Sequence, residues 1–261
     1  MVRPRIRCLP TLVGPARTGG AVPLVVRLRS AVCLLGRFPA LAGVDLDVAP
    51  GETVLLSGGN GAGKTTLLRL VAGLLPLHQG EGEVMGVNLA EDRRSHRSRV
   101  AFVAQDTGCY EDLTVRENLR FATRAAGGDD ARVDEAIDAL ELGRLADVRH
   151  GKLSTGQRRR LALAVGIARR PDLYLLDEPH AGLDAPGRAY LDQVLARAAE
   201  EGRSVLIASH ELEMVRPFAS REVVLTNGQA DGALDAAGST PAPAPAEAAE
   251  AVEATTLEPT P

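Results

Sequence analysis

The chain has 261 residues, 45% of them apolar and 25% charged, enough for a packed core in one large domain or two small ones. Its net charge of -4 excludes nucleic-acid binding driven by the charge of the whole chain. No apolar run approaches the roughly 18 residues of a membrane helix, so work at a membrane requires a partner subunit.

Cys8, Cys33 and Cys109 show neither zinc spacing nor a disulfide framework, which fits a reducing compartment. The opening MVRPRIRCLPTLVGPARTGGAVPL is rich in Arg, Pro and Gly and has no period. Residues 1–23 are expected to be a disordered extension; the basic, acid-free stretch also fits a targeting segment. The folded part is expected over residues 24–229. Beyond it, residues 230–261 are dominated by Ala, Pro, Thr and Glu and carry little large apolar surface, so they are expected to be disordered.

Within the folded part, buried strands are expected at 53–57, 100–104, 173–176 and 204–208. Helices are expected at 65–75, 133–140, 157–168 and 187–199. Such alternation implies an α/β fold with a mostly parallel central sheet.

After the strand TVLLS comes GGNGAGKTT, which fits the phosphate-loop pattern G-x-x-x-x-G-K-[ST] with Gly58, Gly63, Lys64 and Thr65. Gly58, Gly59, Asn60, Gly61, Ala62 and Gly63 let backbone N–H groups wrap phosphates, and the following helix start adds partial positive charge. Lys64 is expected to reach the β- and γ-phosphates and Thr65 to ligate Mg²⁺, with Thr66 completing the loop. A chance match in a Gly-rich chain is the plain alternative, weakened by the strand before and the helix after.

LYLLDEPH ends an apolar strand in Asp177 and Glu178, placing both acids at the sheet edge where ligands bind. Asp177 is expected to be the Mg²⁺ partner of Thr65, and Glu178 to polarise the attacking water. Alone, this pair fits a solvated strand-end turn equally well. Asp184 in AGLDAPG fits a helix N-cap as well as a ligand contact. The strand SVLIAS aims His210 at the same sheet edge, although a lone strand-end histidine is usually structural.

LSTGQRRR combines small polar residues with three arginines. The arginines invite a nucleic-acid reading, and the turn before them invites a phosphate-binding one. LSTGQ opens a helix, so its amides and Ser154 make a second anion site. The arginines are then expected to form surface and subdomain salt bridges.

GGNGAGKTT, FVAQD, LSTGQ, LYLLDEP, GLD and ASHE, in that order, resemble the ATP-binding subunit of ABC transporters across residues 24–229. The resemblance implies a P-loop NTPase of ABC type, with an antiparallel β subdomain and a helical subdomain at about 106–156. It implies that Gln105 contacts Mg²⁺ or the attacking water. Ser154, Thr155, Gly156 and Gln157 match the family signature, with Thr155 where a glycine is usual. Asp177 corresponds to the Walker-B aspartate, Glu178 to the catalytic base, Asp184 to the D-loop and His210 to the switch histidine. The family's adenine-stacking aromatic falls at Leu35, with Phe38 nearby.

The resemblance further implies ATP and Mg²⁺ as cofactors and a head-to-tail dimer, each ATP held between one chain's phosphate loop and the other's LSTGQ. It implies a transmembrane permease docked near residues 105–119, a place at the cytoplasmic face of the membrane, and no nucleic acid. Within the docking segment, Leu113, Val115 and Leu119 equally suit a subdomain core. GRFPALAGVDLDVAPGE, LADVRHGKLSTGQRRRLALAV and DEPHAGLDAPG are narrowly similar to the CcmA-like ATPases of cytochrome-c-biogenesis haem export. An exporter ATPase is therefore expected. The alternatives are a generic ABC-2-type drug or lipid exporter ATPase, a non-transport ABC ATPase, and a module that holds ATP without turnover.

Overall fold

The computed structural model describes residues 23–104 and 108–231. The extension before residue 23, Gln105 and the tail beyond residue 231 lie outside the described residues. Strands β1 (Val26–Leu35), β2 (Phe38–Val48), β4 (Gln79–Val84) and β5 (Val87–Asn88) form an antiparallel sheet in the order β2-β1-β4-β5. Strands β3 (Thr53–Ser57), β6 (Val100–Val103), β7 (Leu173–Asp177), β8 (Ser204–Ala208), β9 (Arg221–Thr226) and β10 (Gln229–Asp231) form the central sheet. Its order is β10-β9-β3-β8-β7-β6, with every neighbouring pair parallel except β9 and β10. The fold thus runs slightly past the expected end at Gln229, because residues 230 and 231 pair with β9.

The helices are α1 (Lys64–Val71), α2 (Val115–Ala125), α3 (Asp130–Ala139), α4 (Thr155–Ala168), α5 (Ala185–Glu200) and α6 (Leu212–Val215). Helix α1 stops earlier than expected, where Gly73 turns the chain at φ 69°. Helix α2 opens on a capping box: Glu117 N–H donates to Thr114 Oγ1, and Thr114 N–H donates to the Glu117 carboxylate.

The central strands are apolar throughout because both sheet faces are covered. Val54, Leu56, Leu173 and Leu175 face α1 and the antiparallel sheet. Leu55, Tyr174 and Leu176 face the helical side. Among the docking-segment candidates, Val115 and Leu119 are fully buried in that helical core and Leu113 is partly buried. Val115 and Leu119 therefore cannot form a docking surface; the large exposed apolar residues are Tyr110 within the segment and Phe121 just beyond it, each 55% exposed.

The central sheet aligns the carboxyl ends of β3, β8, β7 and β6 along one edge. Helix α1 leaves β3, crosses β8 and reaches β7, and this path brings the phosphate loop to the acids at the end of β7. Leu119→Ala is expected to destabilise the chain by about 2–5 kcal/mol through cavity formation. Chemical denaturation checks this; an unchanged midpoint would return Leu119 to the surface.

Candidate functional site

Loop 58–63 joins β3 to α1 at the sheet edge. Gly58 has φ 131°, and a Cβ there would lie 2.2 Å from the Leu225 carbonyl oxygen, so only glycine fits. Helix α1 is capped by Gly63 with no side-chain hydrogen bond, leaving its first-turn N–H groups for an anion. Lys64 is buried, and its Nζ donates to the Gly58 and Gly59 carbonyls at 2.6 and 3.1 Å. An ammonium has three N–H bonds, so one remains for a phosphate oxygen. Asn60, Gly61, Ala62, Gly63, Lys64, Thr65 and Thr66 line a cleft of about 680 Å³ with Asp177 and Glu178. That volume suits a nucleotide.

Thr65 Oγ1 donates to Asp177 Oδ2 at 2.9 Å, across 112 residues of sequence. Asp177 is 6% exposed, and burial pushes its carboxyl above the ordinary range, countered by the Thr65 hydrogen bond. A cation would relieve that burial cost. A hydroxyl and a carboxylate side by side are the oxygen donors Mg²⁺ prefers, so these residues fit the metal.

Glu178 follows at φ 49°, a left-handed backbone that is costly for a residue with a Cβ. Its N–H donates to the Ala208 carbonyl at 2.8 Å. Its Oε2 accepts from His210 N–H at 3.1 Å and lies 2.7 Å from His210 Nδ1. The strained turn therefore holds the carboxylate against the histidine at the end of β8, beside the cleft. This arrangement can polarise a water with the remaining carboxylate oxygen.

The other expected site residues lie elsewhere in the single chain. Ser154 and Gln157 form a capping box on α4: Gln157 N–H donates to Ser154 Oγ at 3.3 Å, and Ser154 N–H donates to Gln157 Oε1 at 2.9 Å. Ser154 and Thr155 are exposed, Gly156 is half-buried, and none of the four lines the cleft. The Ser154 hydroxyl proton stays available to donate outward. Asp184 caps α5 by accepting from Gly187 N–H at 3.2 Å, and its Arg160 hydrogen bond holds its carboxyl below the usual range. It too lies off the cleft. Gln105 lies outside the described residues, although Ala104 before it lines the cleft.

Leu35 lines the cleft as its position implies, whereas Phe38 is 79% exposed and not among the lining residues. Two arginines were missed. Arg69 lines the cleft; it stands four residues after Thr65 and so on the same helix face. The arginine run also corrects expectation, since among the described residues only Arg160 of the three makes salt bridges, to Asp184 and Glu141. Arg158 donates to the Leu153 and Gly151 carbonyls, and Arg159 is buried against further carbonyls. Its signal was its place at the head of an i, i+3, i+4, i+7 stripe with Ala162, Leu163 and Gly166.

The family model described as ABC transporter matches residues 41–181. A putative ABC transporter ATP-binding protein of Halobacterium salinarum is 39% identical over 211 residues, covering 78% of this chain and 90% of the relative. The cytochrome c biogenesis ATP-binding export protein CcmA of Bordetella bronchiseptica is 40% identical over 179 residues, covering 68% and 80%. An sn-glycerol-3-phosphate import ATP-binding protein of Rhizobium johnstonii is 36% identical over 198 residues, covering 74% and 57%. Export and import chains both match, so the narrow likeness to CcmA does not single out one subgroup. A dimeric structure of the ATP-binding cassette MJ0796, in a post-hydrolysis state with ADP and Pi, superposes with TM-score 0.74 at 26% identity, covering 82% of this chain and 99% of that one. The chain belongs to the ABC transporter family, as an ATPase that uses ATP and Mg²⁺.

Proposed function

We propose that the chain is the energy-coupling subunit of an export-type transporter, acting at the cytoplasmic face of the membrane on a separate permease. The observation that carries the catalytic part is the 2.7 Å contact between Glu178 Oε2 and His210 Nδ1 beside the Thr65–Asp177 pair. Loop 58–66 and Lys64 hold the phosphates of ATP. Thr65 and Asp177, with Gln105, would hold Mg²⁺, which would supply charge neutralisation for the phosphates of ATP. Glu178 takes a proton from the attacking water, whose oxygen bonds the γ-phosphorus as the bond to the bridging oxygen breaks. His210 keeps the Glu178 carboxylate and the γ-phosphate in line.

The half of the site that Ser154, Thr155, Gly156, Gln157 and Asp184 provide serves the ATP of a second chain in a head-to-tail dimer. The position of these residues off the chain's own cleft supports that division. The exposed, edge-to-face rings of Tyr110 and Phe121, 5.2 Å apart, are the proposed permease contact. Among the described residues no helix is long and apolar enough to cross a membrane. The proposed task, haem export for cytochrome c assembly, rests on the likeness in phrase to CcmA, described as a cytochrome c biogenesis export protein. Cells carrying only the Glu178→Gln chain are then expected to lose holo-cytochrome c; normal levels would reject the haem assignment.

Glu178→Gln is expected to bind ATP yet hydrolyse it at least about 10²-fold slower, the scale for losing a positioned base. Near-normal turnover would remove Glu178 from that role. Lys64→Ala is expected to abolish ATP binding, and retained tight binding would sink the phosphate-loop assignment. Phe121→Asp is expected to leave the ATPase of the isolated chain unchanged and to abolish co-purification with the permease. Intact co-purification would move the docking surface elsewhere.

A further inference from the structure

Arg159 occupies a position on α4 where the helical stripe otherwise carries Ala162, Leu163 and Gly166. It is 5% exposed. Its Nη1 donates to the Ala104 carbonyl, and its Nη2 donates to the Asp177 and Glu178 carbonyls at 2.9 and 2.5 Å. Its Nε is buried with no hydrogen-bond partner among the described residues. A guanidinium so enclosed, facing carbonyls rather than a carboxylate, is costly to bury. An apolar side chain would fill the same stripe at lower desolvation cost.

The three acceptors explain what the guanidinium does there. Ala104 directly follows β6 and leads to Gln105, and Asp177 and Glu178 are the acids at the end of β7. Only a planar fork with several fixed N–H directions spans all three; an ammonium is a point donor. Glu178 is the strained residue of this group, at φ 49°, a backbone costing about 1–3 kcal/mol that persists only where surroundings over-determine it. Its N–H is fixed on β8 and its carboxylate on His210, and its carbonyl accepts from Arg159 together with the Ala181 N–H at 3.2 Å, so that among the described residues Arg159 is the one side chain holding it.

The helix that carries Arg159 is itself seated firmly. A Cβ at Gly166 would lie 2.6 Å from Val103 Cγ2, so α4 packs on β6 at closest approach. Arg159 stands five residues after Ser154, the cap of the same helix. We propose that Arg159 is a positioning residue for ATP hydrolysis, locking the backbone of Glu178 to the helix that begins at Ser154 and to the strand end before Gln105. The inference rests on Glu178 as the group that activates water.

The test is a double-mutant cycle on the full chain, with Arg159→Gln, Arg159→Lys, Glu178→Gln and the two combinations. kcat and KM for Mg²⁺-ATP are measured together with ATP affinity. Arg159→Gln is expected to lower kcat about 10- to 100-fold with KM within about threefold, the scale of a displaced catalytic group. Arg159→Lys, which keeps the charge without the fork, is expected to recover only part of that loss. In the Glu178→Gln background neither substitution is expected to lower the residual rate further, because both act through one group. Should the Gln variant not fold, the same cycle is read with Lys.

The proposal is overturned if kcat stays within about threefold of the parent in every variant that folds, if the loss appears in KM, or if the two losses multiply. It is also overturned if neither Arg159 variant folds, since the role is then structural. Near-normal turnover of Glu178→Gln alone would instead remove the reading of Glu178 on which the inference stands.

Discussion

One hydrogen bond, from Thr65 Oγ1 to Asp177 Oδ2 at 2.9 Å, joins two stretches of chain 112 residues apart. It exists because β3, β8 and β7 run parallel and end together, and because α1 crosses over β8 to reach β7. The same geometry sets His210, two residues beyond β8, against the Glu178 carboxylate. Each strand is buried on both faces, which fixes its register and hence the height of every residue at the edge. Burial of Asp177 beside this bond gives a carboxylate that gains from a cation, while Glu178 one residue on turns to face the cleft.

The same residues serve structure and chemistry. Ser154 and Gln157 cap α4, and that capping leaves the Ser154 hydroxyl proton to donate outward from an exposed helix start. Asp184 caps α5 and pairs with Arg160, tying the start of α5 to α4. The structural readings of these residues and the functional ones are therefore compatible. On the proposed function the chain carries two incomplete phosphate sites on separate surfaces: a cleft with a loop, a metal pair and a base, and an exposed helix start without them.

The chemistry was more legible in the sequence than the scaffold. The phosphate loop, the DE pair and strands β3, β6, β7 and β8 could be recognised because buried strands are continuous apolar runs and the loop has fixed spacing, whereas the parallel β9, partly exposed, was not. Strands β1 and β2 were not, because their alternation slips. Buried positions in β1 step from Leu28 to Ala31 around Ser30 at φ 45°, and in β2 from Leu41 to Val44 around Gly43 at φ 92°. Strand β4, QGEGEV, is mostly exposed and has few apolar residues to mark it. Helix α2 announced itself through Thr114 and Glu117, but its capping box lay within a segment assigned to docking. Arg159 was hidden for a different reason: charge in a basic run suggests surface, and only the helical stripe shows that it points inward.

The central claim is that the LSTGQ helix start completes the site of another copy of the chain. Sedimentation of the Glu178→Gln chain with and without ATP tests it, compared with a chain that also carries Ser154→Arg. The account predicts a dimer that forms only with ATP, and a Ser154→Arg chain that still binds ATP but stays monomeric. A Glu178→Gln chain that remains monomeric at saturating ATP, or a dimer indifferent to Ser154→Arg, would contradict it.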